Sequence, residues 1–204
     1  MPALLIALVA AAAPAVSVAP VEARPGDAVL VRVGGAEEAP AGTLAGRPLL
    51  FWREGAEWRA VGALPVETSP GRVSAAIEAG GARAEAALTV VEPGFPSRSI
   101  TLPPRYVEEP VEPALRRRIA RDRRAFDAAW HRPPAPPRFL AGFAWPRVSR
   151  ITGRFGDQRV LNGKKESVHY GLDLTGPRGA PIFAAADGEV VLARDAYYSG
   201  KTVV

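Results

Sequence analysis

His169 and Asp173 stand four positions apart in Ser167-Val168-His169-Tyr170-Gly171-Leu172-Asp173-Leu174. An imidazole beside a carboxylate is what a zinc ion or a proton-transfer site needs. On a straight strand the two Cα atoms would stand about 13 Å apart, whereas zinc bonds of about 2.1 Å draw both side chains to one point. A helix would solve this, but Gly171 and the β-like flanks argue against one. Gly171 is therefore expected to permit a bend or bulge that brings the pair together. The competing reading is an ordinary surface histidine and a turn aspartate, and spacing alone leaves both open.

Other candidate chemistry is thinner. The second histidine, His131, follows a predicted helix, where an imidazole complements the helix dipole more readily than it binds metal. Gly200-Lys201-Thr202 imitates the end of a phosphate-binding loop, but the glycine required five residues earlier is Asp195. Ser167 and Ser199 lack the glycines of a nucleophile elbow. Asp173 with Asp187 or Asp195 has the residue types of a glycosidase pair, yet sequence does not set their separation in space.

The elements that must position these residues fall into distinct stretches. Residues 1–19 read as a signal peptide: Met1 to Val21 is uncharged, its apolar run has the length of a signal h-region, and Ala13 and Ala15 suit cleavage after Ala15. The n-region departs from the pattern in carrying only the terminal amine. Residues 21–93 read as a small β-sandwich of the immunoglobulin-like kind. Val29, Val31 and Val33 alternate with Leu30 and Arg32, a Glu54-Gly55 turn separates two short apolar runs, and residues 72–78 are expected to pair with residues 83–91 across Gly80-Gly81. Nothing catalytic is visible there, so a spacer or docking module is the expectation.

Residues 94–138 form a proline-rich linker. Residues 92–113 read as irregular, because six prolines oppose a continuous helix or a central strand. A helix is predicted over about 113–130, with Pro113 in its first turn and Leu115, Ile119, Phe126 and Trp130 as its apolar stripe. Arg116, Arg117, Arg118, Arg121, Arg123 and Arg124 dominate its other faces. Such a face is suited to anionic polymer or lipid headgroups, or is simply solvated while the stripe packs on a neighbour. A polyproline run follows at residues 133–137. Residues 139–204 form a second β domain, with Asp187-Gly188 predicted to turn a type I′ hairpin.

Composition sets only outer bounds. The 204 residues suffice for one large core or two modest ones. Twenty-one prolines and 20 glycines favour turns and short strands. Lys and Arg exceed Asp and Glu by 26 to 21, which suggests anionic surroundings. With no cysteine, neither a disulfide nor a thiolate ligand is available.

Five landmarks in one order resemble the start of the lysostaphin-type, LytM-like zinc metalloendopeptidase domain. They are Ile151-Thr152-Gly153-Arg154-Phe155-Gly156-Asp157-Gln158-Arg159 with Asn162-Gly163, then His169-Tyr170-Gly171-Leu172-Asp173, Gly179-Ala180-Pro181-Ile182, Ala185-Ala186-Asp187-Gly188, and Gly200-Lys201-Thr202-Val203-Val204. The resemblance covers about residues 143–204, and the preceding β domain and basic helix also look like regions found before this domain in some exported members.

The resemblance implies an antiparallel β peptidase domain, of which residues 139–204 would be the N-terminal part; with the sandwich and the arginine-rich linker helix read above, the expected protein is mainly β. It implies Zn2+ as cofactor, His169 and Asp173 as the first two ligands, and cleavage of peptide bonds in peptidoglycan. The family's third ligand and catalytic histidine belong to a His-x-His motif expected beyond Val204. The domain therefore reads as truncated, and the 204-residue chain alone is expected to be inactive or nearly so. Tyr170 and Arg159 are expected to be structural or groove residues. The implied partner is peptidoglycan; the basic helix adds an expected contact with anionic envelope polymer or lipid, no nucleic acid is expected, and the expected location is the periplasm or cell exterior, at the envelope. Alternatives are a non-catalytic LytM-like regulator of cell-wall hydrolases, against which retention of both ligands speaks, and a wall-binding module.

Overall fold

The computed structural model describes residues 13–103, 108, 110–133, 135–163 and 165–204. Most of the expected signal segment, residues 1–12, lies outside the described residues. The chain divides into two compact units, Met1–Gly94 and Phe95–Val204.

Among its described residues the first unit holds nine strands: β1 (Ala15–Ala19), β2 (Glu22–Ala23), β3 (Ala28–Gly34), β4 (Ala41–Leu44), β5 (Arg47–Pro48), β6 (Trp52–Glu54), β7 (Glu57–Ala63), β8 (Gly71–Ala79) and β9 (Ala82–Val90). One sheet runs β1-β3-β7-β6 and the other β2-β9-β8-β4-β5. Alternation in β3 sends Val29, Val31 and Val33 inward with no exposed surface, where they meet Leu44, Ile77, Leu88 and Val90 of the second sheet. Removing these side chains from water contributes about 1.5–3 kcal/mol each. The β8–β9 hairpin places Ala79 opposite Ala82, with Gly80 at φ 57° and Gly81 at φ 78°, the two positive angles that a type I′ turn demands. β1 pairs with β3 and buries Val18, so the sheet takes in residues that the sequence reading places at the end of the leader.

The second unit comprises β10 (Ser97–Ile100), α1 (Pro113–Trp130), β11 (Ile151–Gly153), β12 (Gln158–Leu161), β13 (Lys165–Val168), β14 (Asp173–Leu174), β15 (Ala193–Ala196) and β16 (Gly200–Val203). β10 lies parallel to β12, which pairs antiparallel with β13. β10 thus forms within the stretch expected to be irregular. No proline falls between Pro96 and Pro103, which leaves these residues free to pair, and β10 takes an edge position.

The helix differs from its predicted packing at one end. Leu115, Arg118, Ile119, Asp122, Ala125 and Phe126 form its sheltered face, while Trp130 is 66% exposed rather than part of the stripe. At the centre of that face Asp122 is buried, accepting from Arg194 Nε at 2.5 Å and from the Tyr197 backbone N–H at 2.8 Å. An acidic residue, invisible in an arginine run, therefore anchors α1 to the β15–β16 hairpin.

Asp187-Gly188 does not turn the predicted hairpin. Gly188 lacks a positive φ, and the flanking backbone is engaged elsewhere: Ala144 N–H donates to Ala185 O at 2.7 Å and Phe183 N–H to Pro146 O at 2.9 Å. The hairpin forms later instead, with Ala193 opposite Val203 and Ala196 opposite Gly200.

Candidate metal centre

β11 and β14 bring the chemistry together. They pair antiparallel, with Ile151 opposite Leu174 and Gly153 opposite Asp173, and the register shifts between Ile151 and Gly153. The irregularity thus lies in β11. Gly171 sits at a bend, but its φ is not in the left-handed region and a Cβ there would stand 3.8 Å from His169 Nε2, an ordinary contact. The glycine that makes room is Gly153, where a Cβ would overlap Asp173 Oδ2 and approach His169 Cε1 to 3.2 Å.

His169 Nε2 and Asp173 Oδ1 are 3.2 Å apart. Two ligand atoms bound tetrahedrally at about 2.1 Å would stand about 3.4 Å apart, so the pair has the spacing of adjacent zinc ligands. The other ring nitrogen, Nδ1, lies 2.9 Å from the Arg154 carbonyl oxygen. A carbonyl only accepts, so its partners assign the proton to Nδ1. In a neutral ring Nε2 then carries a lone pair facing a carboxylate oxygen, which is also an acceptor when ionised. A cation resolves that opposition: a proton on Nε2 or a metal ion. A backbone carbonyl behind a histidine is also the usual support of a metal ligand, so the donor set fits zinc.

The surroundings leave one side of the pair open. The His169 side chain is 16% exposed and that of Asp173 54%. Arg159 reaches the second carboxylate oxygen of Asp173 at 3.6 Å, leaving Oδ1 to His169. Next to it runs an open groove of about 470 Å³ lined by Gln158, Arg159, Glu166, Ser167 and Tyr170.

His131 does not join this site. Its backbone N–H and its Nδ1 both lie within hydrogen-bond reach of Asp127 O, at 3.0 and 2.8 Å, which satisfies a carbonyl of the last helical turn. Asp195 is engaged by Arg118, whose guanidinium lies 3.1 Å from its carbonyl and 3.7 Å from its carboxylate. Among the described residues no group of three His, Cys, Asp or Glu side chains is placed to hold a metal.

The residues that sequence reasoning missed are those behind His169 and Asp173. Gly153 and Arg154 serve His169 through shape and a main-chain oxygen, neither of which leaves a side-chain signature.

No protein-family model and no curated protein matches the chain. Among solved structures, it is similar to a Pseudomonas aeruginosa protein provisionally assigned as a peptidase M23, with 28% identity and a TM-score of 0.59 over 88% of this chain and 66% of that one. A polysaccharide lyase (20% identity, TM-score 0.33, 39% of this chain and 12% of that one) and a titin M10–obscurin-like 1 immunoglobulin complex (18% identity, TM-score 0.25, 35% of this chain and 85% of that one) match at levels that say nothing about function. The first similarity supports an M23-type, mainly β peptidase fold and, coarsely, a peptidase-like function. The chain spans about two-thirds of the length of that neighbour.

Proposed function

We propose that this chain carries the first two ligands of a zinc metalloendopeptidase that cleaves peptide bonds in peptidoglycan. The observation that carries the reading is the 3.2 Å approach of His169 Nε2 to Asp173 Oδ1 with Nδ1 committed to a carbonyl. Zinc, when bound, supplies Lewis acidity toward a water and a peptide carbonyl. His169 offers Nε2 and is held in one ring orientation by Arg154; Asp173 offers Oδ1 and adds negative charge that tempers that acidity. Arg159 holds the other Asp173 oxygen, and the adjoining groove is suited to an extended peptide.

The third ligand and the proton-accepting histidine belong, on this reading, to a His-x-His motif that the 204 residues do not contain. Hydrolysis is therefore assigned to a protein that also carries that motif. Export to the envelope and contact with peptidoglycan are parts of the same proposal, and the exposed Arg117, Arg121 and Arg124, recurring along one side of α1, suit an anionic polymer or lipid surface.

Calorimetric titration of Zn2+ into the chain tests the metal reading. Binding that disappears in both His169→Ala and Asp173→Ala is the expected result. In the protein carrying the His-x-His motif, undiminished hydrolysis of purified peptidoglycan by either variant would sink the assignment.

A further inference from the structure

His169 is held at three points by one four-residue turn. Its backbone N–H donates to Asp157 O at 2.9 Å, its carbonyl accepts from Gly156 N–H at 2.8 Å, and its Nδ1 meets Arg154 O at 2.9 Å. The turn closes through Asp157 N–H on Arg154 O at 3.2 Å, with Gly156 at φ 83° in the position where a type II turn needs a left-handed residue. Whatever fixes residues 154–157 therefore fixes the imidazole.

That task falls to the Asp157 side chain, which is 2% exposed. Its Oδ2 accepts from Arg154 N–H at 3.2 Å, bracing the turn from inside, and from Arg98 at 2.8 Å. Its Oδ1 is buried with no hydrogen-bond partner among the described residues. A carboxylate half satisfied in a buried place is destabilising by itself, and such groups persist where they set a geometry. Arg98 belongs to β10, and Phe95 just before it packs where a Cβ on Gly156 would overlap its ring.

We infer that Asp157 is a positioning residue for His169, and that Arg98 on the connector strand β10 supplies the charge that holds it there. The connector is then a working part of the metal centre, an inference that rests on His169 being a ligand. In this role Arg98 and Asp157 act through the Arg154 carbonyl and the backbone of His169.

The test uses nitrogen-15 NMR of the imidazole in a His131→Ala background, where His169 is the only histidine, together with Zn2+ titration. The parent is expected to show the Nδ1–H tautomer. Asp157→Ala and Arg98→Ala are expected to mix the tautomers and weaken Zn2+ binding about ten-fold or more. Asp157→Asn, which keeps an acceptor for Arg154 N–H, and Arg98→Lys are expected to restore the parent spectrum. Folded Asp157→Ala and Arg98→Ala variants with the parent tautomer and unchanged Zn2+ affinity would overturn the inference. If Asp157→Ala does not fold, Arg98→Ala with its lysine rescue decides. A tautomer shift in a chain that never binds Zn2+ supports the positioning role while removing the metal reading.

Discussion

Gly153 lies directly opposite Asp173 across the β11–β14 pair, and the space a methyl group would fill there is occupied by the Asp173 carboxylate. The His169–Asp173 pair is thus shaped by the absence of a side chain on the neighbouring strand.

Gly153→Ala is accordingly expected to push Asp173 off His169 and to lower Zn2+ affinity about ten-fold or more, with the fold retained by circular dichroism. Gly163→Ala is the control. That residue has φ 68° with open space around its missing Cβ, so the change costs about 1–2 kcal/mol of backbone strain and leaves Zn2+ binding unaltered. Equal Zn2+ affinity in the two variants would contradict the steric account.

Acid should loosen the helix from the hairpin. The Tyr197 backbone N–H and then the Arg194 guanidinium hold the Asp122 carboxyl below its ordinary value, against a smaller opposing effect of burial. A carboxylate with a lowered folded-state pKa stabilises the fold above its unfolded value and loses that contribution as pH falls through the folded one. The contribution is therefore complete at neutral pH and disappears as the solution is acidified below about pH 4. Thermal unfolding across this range should show the loss, and Asp122→Asn should start lower at pH 7 and change less with acid.

Leu44 and Gly62 form a test of the first unit's core. Leu44 is 1% exposed, and a Cβ on Gly62 would stand 2.7 Å from its Cδ2. Leu44→Ala should destabilise by about 2–5 kcal/mol in urea unfolding, and Gly62→Ala by about 1–3 kcal/mol through overpacking. Because the added and removed atoms compete for the same space, the double variant should lose less than the sum. Strict additivity would show that the two positions do not share that space.

Salt should discriminate among the arginines of α1. Arg117→Gln, Arg121→Gln and Arg124→Gln together are expected to weaken low-salt binding to purified sacculi without lowering the unfolding temperature. Arg118→Gln, which removes the contacts to Asp195, is expected to do the reverse. Unchanged sacculus binding in the triple variant would remove the anionic-surface proposal.

What could be read in the sequence was what local periodicity encodes. Val29, Val31 and Val33 announce a half-buried strand because a pleat repeats every two residues, and Gly80-Gly81 announces its turn because glycine takes two successive positive angles without steric cost. Asp187-Gly188 carried a similar signal but lost to the 144–146 backbone, some forty residues away. Asp122 depends on Arg194 and Asp157 on Arg98, partners separated by 72 and 59 positions. In the site, His169 and Asp173 were visible as residue types. The bulge in β11, the vacancy at Gly153 and the carbonyl of Arg154 were not, because shape and main-chain oxygens leave no mark in residue identity.

The parallel register of β10 on β12 works as a ruler. Ser97 sits opposite Gln158 and Arg98 opposite Arg159, and a slip of one residue would turn Arg98 to the opposite face. Between Phe95, seated on Gly156, and Arg98, seated on Asp157, the chain therefore has no tolerance for an insertion or deletion. Any redesign that splices a different N-terminal unit onto this one must join it ahead of Phe95.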